Sequence, residues 1–406
     1  MRILHTADWH LCNRLGRIDR TEDLQARVEQ VAAMCEEHKA DVLLIAGDLF
    51  DDRAEPDHIH AAFGHILKTF DPFFQRGGTI LAVTGNHDRD AKINMVRSGM
   101  QLASPFARSA EGRIGGGRMY LNNGRGFATL PESDGRLVQF VFVPYPFPSR
   151  YDFSKSDFMA KEELHKALHA KVAEWLQSVS TQPGFDVSLP TVLVGHIHVR
   201  GTELHTVYKM NSGDDVQFDF ADLQPNWAYV ALGHIHKPQI VNGECHVRYP
   251  GSLDRLDITE SHEHGVILFD IGPAGREGEP LWLPLDSTPF HAIAIADLDA
   301  ELPGLAEKYP DRESAIVRID IAPHDHAMSR DEATRQLRSI FPRWQDVNWL
   351  KAEQPEGIAS GPRVDAKESL EVTVRKYLGE HGELQADPDK DELLKLVESF
   401  LKDGGA

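Results

Sequence analysis

Val42-Leu43-Leu44-Ile45-Ala46-Gly47-Asp48-Leu49-Phe50-Asp51 joins an uninterrupted aliphatic run to a glycine and two carboxylates. A short apolar run closed by a turn signal reads as a strand buried on both faces, and α/β sheets built of such strands bind ligands beyond their carboxyl ends. The pattern recurs along the chain. Ile3 to Thr6 precedes Asp8-Trp9-His10, and Thr79 to Thr84 precedes Gly85-Asn86-His87-Asp88. Thr191 to Val194 precedes Gly195-His196-Ile197-His198, and Tyr229 to Leu232 precedes Gly233-His234-Ile235-His236. These candidate strands deliver their polar side chains to one rim.

Helical spacing fills the intervals: Leu24, Val28, Val31 and Cys35; Ile59, Phe63, Ile66 and Phe70; Leu164, Leu168, Val172 and Trp175. Strands interleaved with helices predict a layered α/β fold, a β-sandwich core flanked by helices, over residues 1–275. Around Gly272 to Pro284 the chain turns to glycine, proline and charge, which reads as a turn or boundary. A smaller α+β unit is expected over residues 285–365. Its strands are His291 to Ala296, Ser314 to Ile321 and Val347 to Lys351, and Ser329 with Glu332 forms a capping box for a helix through Ile340. Residues 366–406 read as an acidic helical tail with an apolar stripe of Leu393, Leu394, Val397, Phe400 and Leu401.

At 406 residues the chain exceeds the usual span of one core, so more than one domain is expected. With 41% apolar and 26% charged residues the composition is that of a globular chain. No aliphatic run is longer than Val42 to Ala46, far short of the roughly 20 residues of a membrane span. The N-terminus lacks a secretion signal, and three scattered cysteines make no disulfide framework, so a cytoplasmic protein is expected. The net charge of −20 disfavours non-specific binding of nucleic acid. A polyanionic substrate would need metal ions or clustered arginines.

The motifs supply the first of these. A lone Asp or His at a strand end is commonly a turn or structural residue, but here carboxylate, amide and imidazole groups converge repeatedly. Asp8 and His10, two apart, point the same way in extended geometry. Asp48 adds a carboxylate, Asn86 and His87 an amide and an imidazole, and the two Gly-His-Ile-His copies four more imidazoles. A thiolate-free set of this kind fits Mn, Fe or Zn better than Ca or a structural zinc site. Two such ions clamp the attacking and leaving oxygens of a phosphoryl displacement, and their charge outweighs the two carboxylates.

In order and spacing these motifs resemble those of the calcineurin-like metallophosphoesterases. His5-Thr6-Ala7-Asp8-Trp9-His10-Leu11, Gly47 to Asp51 and Tyr249-Pro250-Gly251-Ser252 more closely resemble the SbcD/Mre11 DNA nucleases. That resemblance implies one metal on Asp8, His10, Asp48 and His236 and a second on Asp48, Asn86, His196 and His234, with Asp48 bridging. It implies two Mn2+ ions, with Mg2+, Fe2+ or Zn2+ as substitutes. His87 would touch the scissile phosphate, stabilising developing charge or protonating the leaving oxygen. Asp88 is read as orienting this loop. His198 lies outside the family pattern and is a further candidate for contact with metal or phosphate. Asp51, where archaeal and eukaryotic relatives place histidine, points to the bacterial branch.

Arg14, Arg17 and Arg20 are candidates for steering a DNA backbone, with a solvated surface as the alternative. Arg318, Arg330, Arg335, Arg338 and Arg343 with Trp344 and Trp349 offer a DNA-capping face or a salt-bridged helix surface. The resemblance implies a double-strand exonuclease and single-strand endonuclease working with an SMC-like ATPase partner, and a homodimer formed by helices at Ile59 to Phe70 and Ile93 to Ala103. The amphipathic face of the tail must dock on something, and it is read as docking on that partner, with packing on its own protein as the alternative. A phosphodiesterase for small molecules or phosphoproteins and a non-catalytic DNA-end scaffold are the competing readings.

Overall fold

A computed structural model describes residues 1–103, 114–132, 134–153, 160–204, 215–223, 226–323 and 328–350. The tail with its apolar stripe lies outside them. Residues 1–320 and 326–348 form one compact unit, and 321–325 with 349–406 are grouped apart.

Two six-stranded sheets make the core. The first contains β1 (Arg2–Thr6), β2 (Val42–Ala46), β3 (Thr79–Val83) and β4 (Met119–Asn122), all parallel. The second contains β5 (Gly126–Pro131), β6 (Leu137–Val143), β7 (Thr191–His196), β8 (Tyr229–Gly233), β9 (Gln239–Val241) and β10 (Glu244–Tyr249), in the order β9-β10-β8-β7-β6-β5. Strands β11 (His264–Gly272) and β12 (Gly275–Leu285) return to the first sheet, giving β12-β11-β1-β2-β3-β4. The glycine- and proline-rich stretch read as a turn or boundary is the turn and edge strand of a hairpin. Pro280 and Pro284 are tolerated there because an outermost strand has a side without ladder partners.

Strand alternation sorts the aliphatic side chains into layers. Val42, Leu44 and Ala46 join Phe140, Val192 and Ala231 between the sheets, while Leu43 and Ile45 face the opposite side with Leu24, Val28, Val31 and Cys35 of α1 (Thr21–Glu37). Helix α2 (Pro56–Thr69) buries Ile59, Ala62 and Ile66 on the same layer, and α3 (Asp90–Ala103) adds Ile93. The far face of the second sheet packs Leu193, Val230 and Leu232 against Leu168, Val172 and Leu176 of α4 (Lys161–Ser178). Helices thus cover both outer faces of a sandwich, as the apolar periodicities predict.

The smaller sheet is three-stranded: β13 (Phe290–Ile295), β14 (Ile316–Ile321) and β15 (Trp344–Trp349). Its third strand begins three residues before the predicted Val347 because Trp344 already pairs. Helix α5 (Arg330–Ile340) starts at Ser329, whose hydroxyl accepts from the Glu332 amide at 3.3 Å. Ile316 and Phe290 pack on Leu15 and Ile18 of a small hairpin that follows the first metal motif. Among the described residues no helix is long and apolar enough to cross a membrane.

Candidate metal centre

The loops after β1, β2 and β3 bring Asp8 with His10, Asp48, and Asn86 with His87 to one end of the first sheet. The second sheet contributes His196 at the end of β7, and His234 and His236 just beyond β8. All these ligand candidates converge. Donor atoms of Asp8, His10 and His236 lie within 4.8 Å of one another, as do those of Asp8, Asp48 and His196, and those of His10, Asp48 and His87. Asn86 Oδ1 is 3.0 Å from both His196 Nε2 and His234 Nδ1.

Backbone strain accompanies this convergence. Asp8, His10, Asp48 and His234 have positive φ angles of 51°, 42°, 50° and 102°, a region that costs non-glycine residues roughly 1–3 kcal/mol each. Asp8 and His10 therefore meet through left-handed turns, not through the extended geometry expected, because β1 ends at Thr6. The Asp8 amide donates to the Gly47 carbonyl at 3.1 Å and the His10 amide to the Asp48 carbonyl at 2.9 Å, which locks the two loops together. Two glycines permit the close packing: a Cβ at Gly85 would fall 2.0 Å from Asp48 Oδ1, and one at Gly233 would fall 1.9 Å from the Ala46 carbonyl oxygen.

Hydrogen bonds fix which face each imidazole presents. His196 Nδ1 is 2.7 Å from the Ala46 carbonyl, which can only accept, so Nδ1 carries the proton and Nε2 faces the site. His234 Nε2 lies 2.7 Å from Asp215 Oδ2, leaving Nδ1 as the inward atom. His236 Nδ1 is 3.4 Å from Glu260 Oε1. Carboxylates behind ligating histidines commonly orient them and raise their basicity. His10 Nε2 is buried and makes no hydrogen bond among the described residues, which suits a coordinating nitrogen. Burial raises the Asp48 carboxyl, but His196 and His10 outweigh it and hold the group well below the usual carboxylate range. An ionised Asp48 is what a bridging ligand requires. The donor set fits a pair of divalent cations.

The His87 ring is partly exposed, with centroid 4.7 Å from that of His10, and its amide donates to Asp48 Oδ1 at 2.8 Å. Its Nδ1 lies 3.7 Å from Asp52 Oδ1. Asp88 turns away from the site and accepts from the amides of Gly85, Leu49 and Phe50 at 2.8, 3.2 and 3.1 Å, tying the second motif to the third. Burial and the Asp48 charge push its carboxyl up to about 6 against these donors. Arg150, itself buried, braces the same loop from outside by donating to the Gly85 and Asp88 carbonyls and to Asp90. Tyr249 of the Tyr-Pro-Gly-Ser element donates to the Ile197 carbonyl at 2.7 Å, and Leu253 just after it donates to the Asp8 carbonyl at 3.2 Å.

His198 places Nδ1 3.1 Å from Asp215 Oδ2, on the carboxylate that also meets His234, and ligand atoms of these three residues lie within 4.8 Å of one another. One sequence expectation needs correction here. Arg20 is fully buried: it pairs with Asp23 at 2.6 Å and Asp254 at 3.1 Å and donates to Thr288 Oγ1. No DNA backbone can reach it. Arg14 and Arg17 remain exposed on their hairpin. Around the small sheet, Arg343 pairs with Asp23, Arg335 with Glu332, and Arg338 stacks on Trp344 at 4.3 Å, so much of this group forms the salt-bridged surface that was the alternative.

Asp215, Glu260, Asp52 and Arg150 were not singled out from sequence. Asp215 and Glu260 lie in loops outside any motif, where a carboxylate carries no local signal. Asp52 is next to the Gly-Asp-Leu-Phe-Asp stretch, and adjacency to a motif is the one cue that could have found it.

Two apposed sheets with a strained rim of carboxylate, amide and imidazole groups define a metallophosphoesterase centre, and residues 1–238 match the family described as calcineurin-like phosphoesterase. The chain belongs to that family. Among curated proteins it is similar to the SbcD component of nuclease SbcCD from Escherichia coli (strain K12), 28% identical over 269 residues, covering 64% of this chain and 62% of that protein. It is also similar to the SbcD component of nuclease SbcCD from Rhodobacter capsulatus, 27% identical over 325 residues and 78% of each chain, and to that from Bacillus subtilis, 26% identical over 276 residues and 67% of each. The chain thus spans under two thirds of the Escherichia coli relative's length and more of the other two.

Proposed function

We propose that this phosphoesterase is a metal-dependent DNA nuclease, the nuclease subunit of an SbcCD-like complex, with double-strand exonuclease and single-strand endonuclease activity. The observation that carries the reading is the set of overlapping donor clusters at one rim, Asp8 with His10 and His236, Asp8 with Asp48 and His196, and His10 with Asp48 and the partly exposed His87, in a chain similar to the SbcD component of nuclease SbcCD over 325 residues. Divalent cations, when bound, would polarise the phosphodiester and activate a water for attack. Asp8, His10, Asp48 and His236 would hold one, and Asp48, Asn86, His196 and His234 the other. His87 reaches the substrate side and stabilises charge on the phosphate or protonates the leaving oxygen. Asp52, 3.7 Å from its Nδ1, places a negative charge beside the ring. Mn2+ is the proposed physiological ion.

Arg14 and Arg17, exposed beside the centre, would position the backbone of DNA in an otherwise acidic protein. The small sheet and α5 would cap the substrate. An SMC-like ATPase would be the partner, and a second copy of this chain would meet the exposed side of α2 and α3, where Leu67 and Met95 are solvent-facing. Such a protein would work in the cytoplasm, on the nucleoid.

The test offers purified protein linear duplex, circular single-stranded DNA and a chromogenic phosphodiester, each with Mn2+, Mg2+ or no metal. Metal-dependent cutting of both DNAs is expected. Turnover of the chromogenic ester with neither DNA cut would favour a small-molecule phosphodiesterase. DNA binding without hydrolysis of any substrate would favour a scaffold.

A further inference from the structure

Glu260, His262 and His264 form a second cluster, outside the pair described above: one ligand atom from each lies within 4.8 Å of the others. The geometry points to a third divalent-cation site on this triad, of the class that takes two imidazoles and one carboxylate, with Zn2+ as its natural occupant.

His264 opens β11, and its Nδ1 lies 3.1 Å from the Ser252 carbonyl, which can only accept. The proton therefore sits on Nδ1, and the lone pair is on Nε2. That nitrogen is buried, on a residue 1% exposed, and has no hydrogen-bond partner among the described residues. A buried acceptor without a donor is costly unless something electropositive meets it. The His262 ring stands 4.9 Å from that of His264 at 48°, so the two rings are tilted rather than stacked. Glu260 is nearly fully buried and supplies the anionic ligand.

Glu260 already accepts from the Leu256 amide through Oε2 at 2.9 Å and faces His236 Nδ1 through Oε1 at 3.4 Å. A carboxylate oxygen has two lone pairs, so Oε1 can serve His236 and a cation together. Two imidazoles and one carboxylate with an open fourth position suit Zn2+, and half-buried His262 leaves that position a path to solvent. The third ion would fix the Glu260 carboxylate that orients His236, joining the loop from Ser252 to His264 to the catalytic pair. The competing account is a plain hydrogen-bonded brace that binds nothing.

The experiment removes the pair first, so that it does not depend on the nuclease reading. Asp48→Ala protein and Asp48→Ala/His262→Ala protein are each equilibrated with Zn2+, desalted and analysed for metal per chain, with circular dichroism confirming the fold. The second protein is expected to hold one ion fewer than the first, whatever the first retains. Asp48→Ala/His264→Gln, which keeps the side chain's bulk, should lose the same ion. Equal zinc content in all three folded proteins overturns the site.

Discussion

Asp215 Oδ2 lies 2.7 Å from His234 Nε2 and 3.1 Å from His198 Nδ1, while Tyr145 donates to the other oxygen at 2.8 Å. Burial raises this carboxyl, yet His234 and His198 outweigh it and hold it far below the carboxylate range. The charge is therefore retained behind His234, a candidate ligand of the proposed second ion. Asp215→Asn keeps the shape and removes the charge, so it should weaken metal binding about 10–100-fold with little change in fold. Calorimetric titration of the metal-free protein checks this. Unchanged affinity would mean that Asp215 only fills space.

His87→Ala should lower cleavage by about 10²–10⁴-fold while both ions stay bound, because its ring is partly exposed and its hydrogen bond to Asp48 runs through the backbone amide, which the substitution keeps. Metal content and turnover measured on the same preparation separate the roles. Loss of an ion would make His87 a ligand.

Asp48→Ala should empty both positions of the catalytic pair. Without the shared carboxylate, two cations at short range repel each other with nothing between them. Elemental analysis reads the outcome, and retention of two ions in that pair would contradict the bridge.

Arg17→Ala and Arg20→Ala should behave oppositely. Arg17 is exposed, and its removal should reduce the salt dependence of DNA binding by about one unit of slope while stability is unchanged. Arg20→Ala leaves Asp254 buried without its cation and should cost about 3–5 kcal/mol in a denaturant titration. A stable Arg20→Ala protein with weakened DNA binding would give Arg20 the surface role that its burial argues against.

Met95→Asp tests the proposed two-fold contact. Met95 is 55% exposed, so a charge there should spare the fold, yet in a self-complementary interface it would appear twice against itself. Analytical ultracentrifugation should show a weakened dimer. Phe63 is less suited, because it packs partly against the core.

What could be read from sequence was whatever depends on short-range chemistry. Val42 to Ala46 has to be a buried strand, and a glycine followed by Asp48 at its end has few other uses. The convergence of the candidate ligands was legible because strand ends in such a fold share one rim. The geometry by which Asp8 and His10 converge was not, since it depends on hydrogen bonds to a neighbouring loop some forty residues away in sequence. Arg20 and Arg17 look alike in sequence, and only the packing of Asp254 and Thr288 around one of them separates the buried from the exposed. Glu260 and Asp215 meet imidazole edges that come from other strands, so neither had a local signature.

The candidate ligands are divided between the sheets in chain order: Asp8, His10, Asp48 and Asn86 come from the first sheet, and His196, His234 and His236 from the second. During synthesis the first half can fold its parallel strands while each prospective site still lacks its imidazoles from the second sheet. Neither ligand set is complete until the second Gly-His-Ile-His has left the ribosome. A truncated or stalled product would thus carry the carboxylate half of the rim without the imidazoles of the second sheet, and the centre cannot assemble ahead of the whole sandwich.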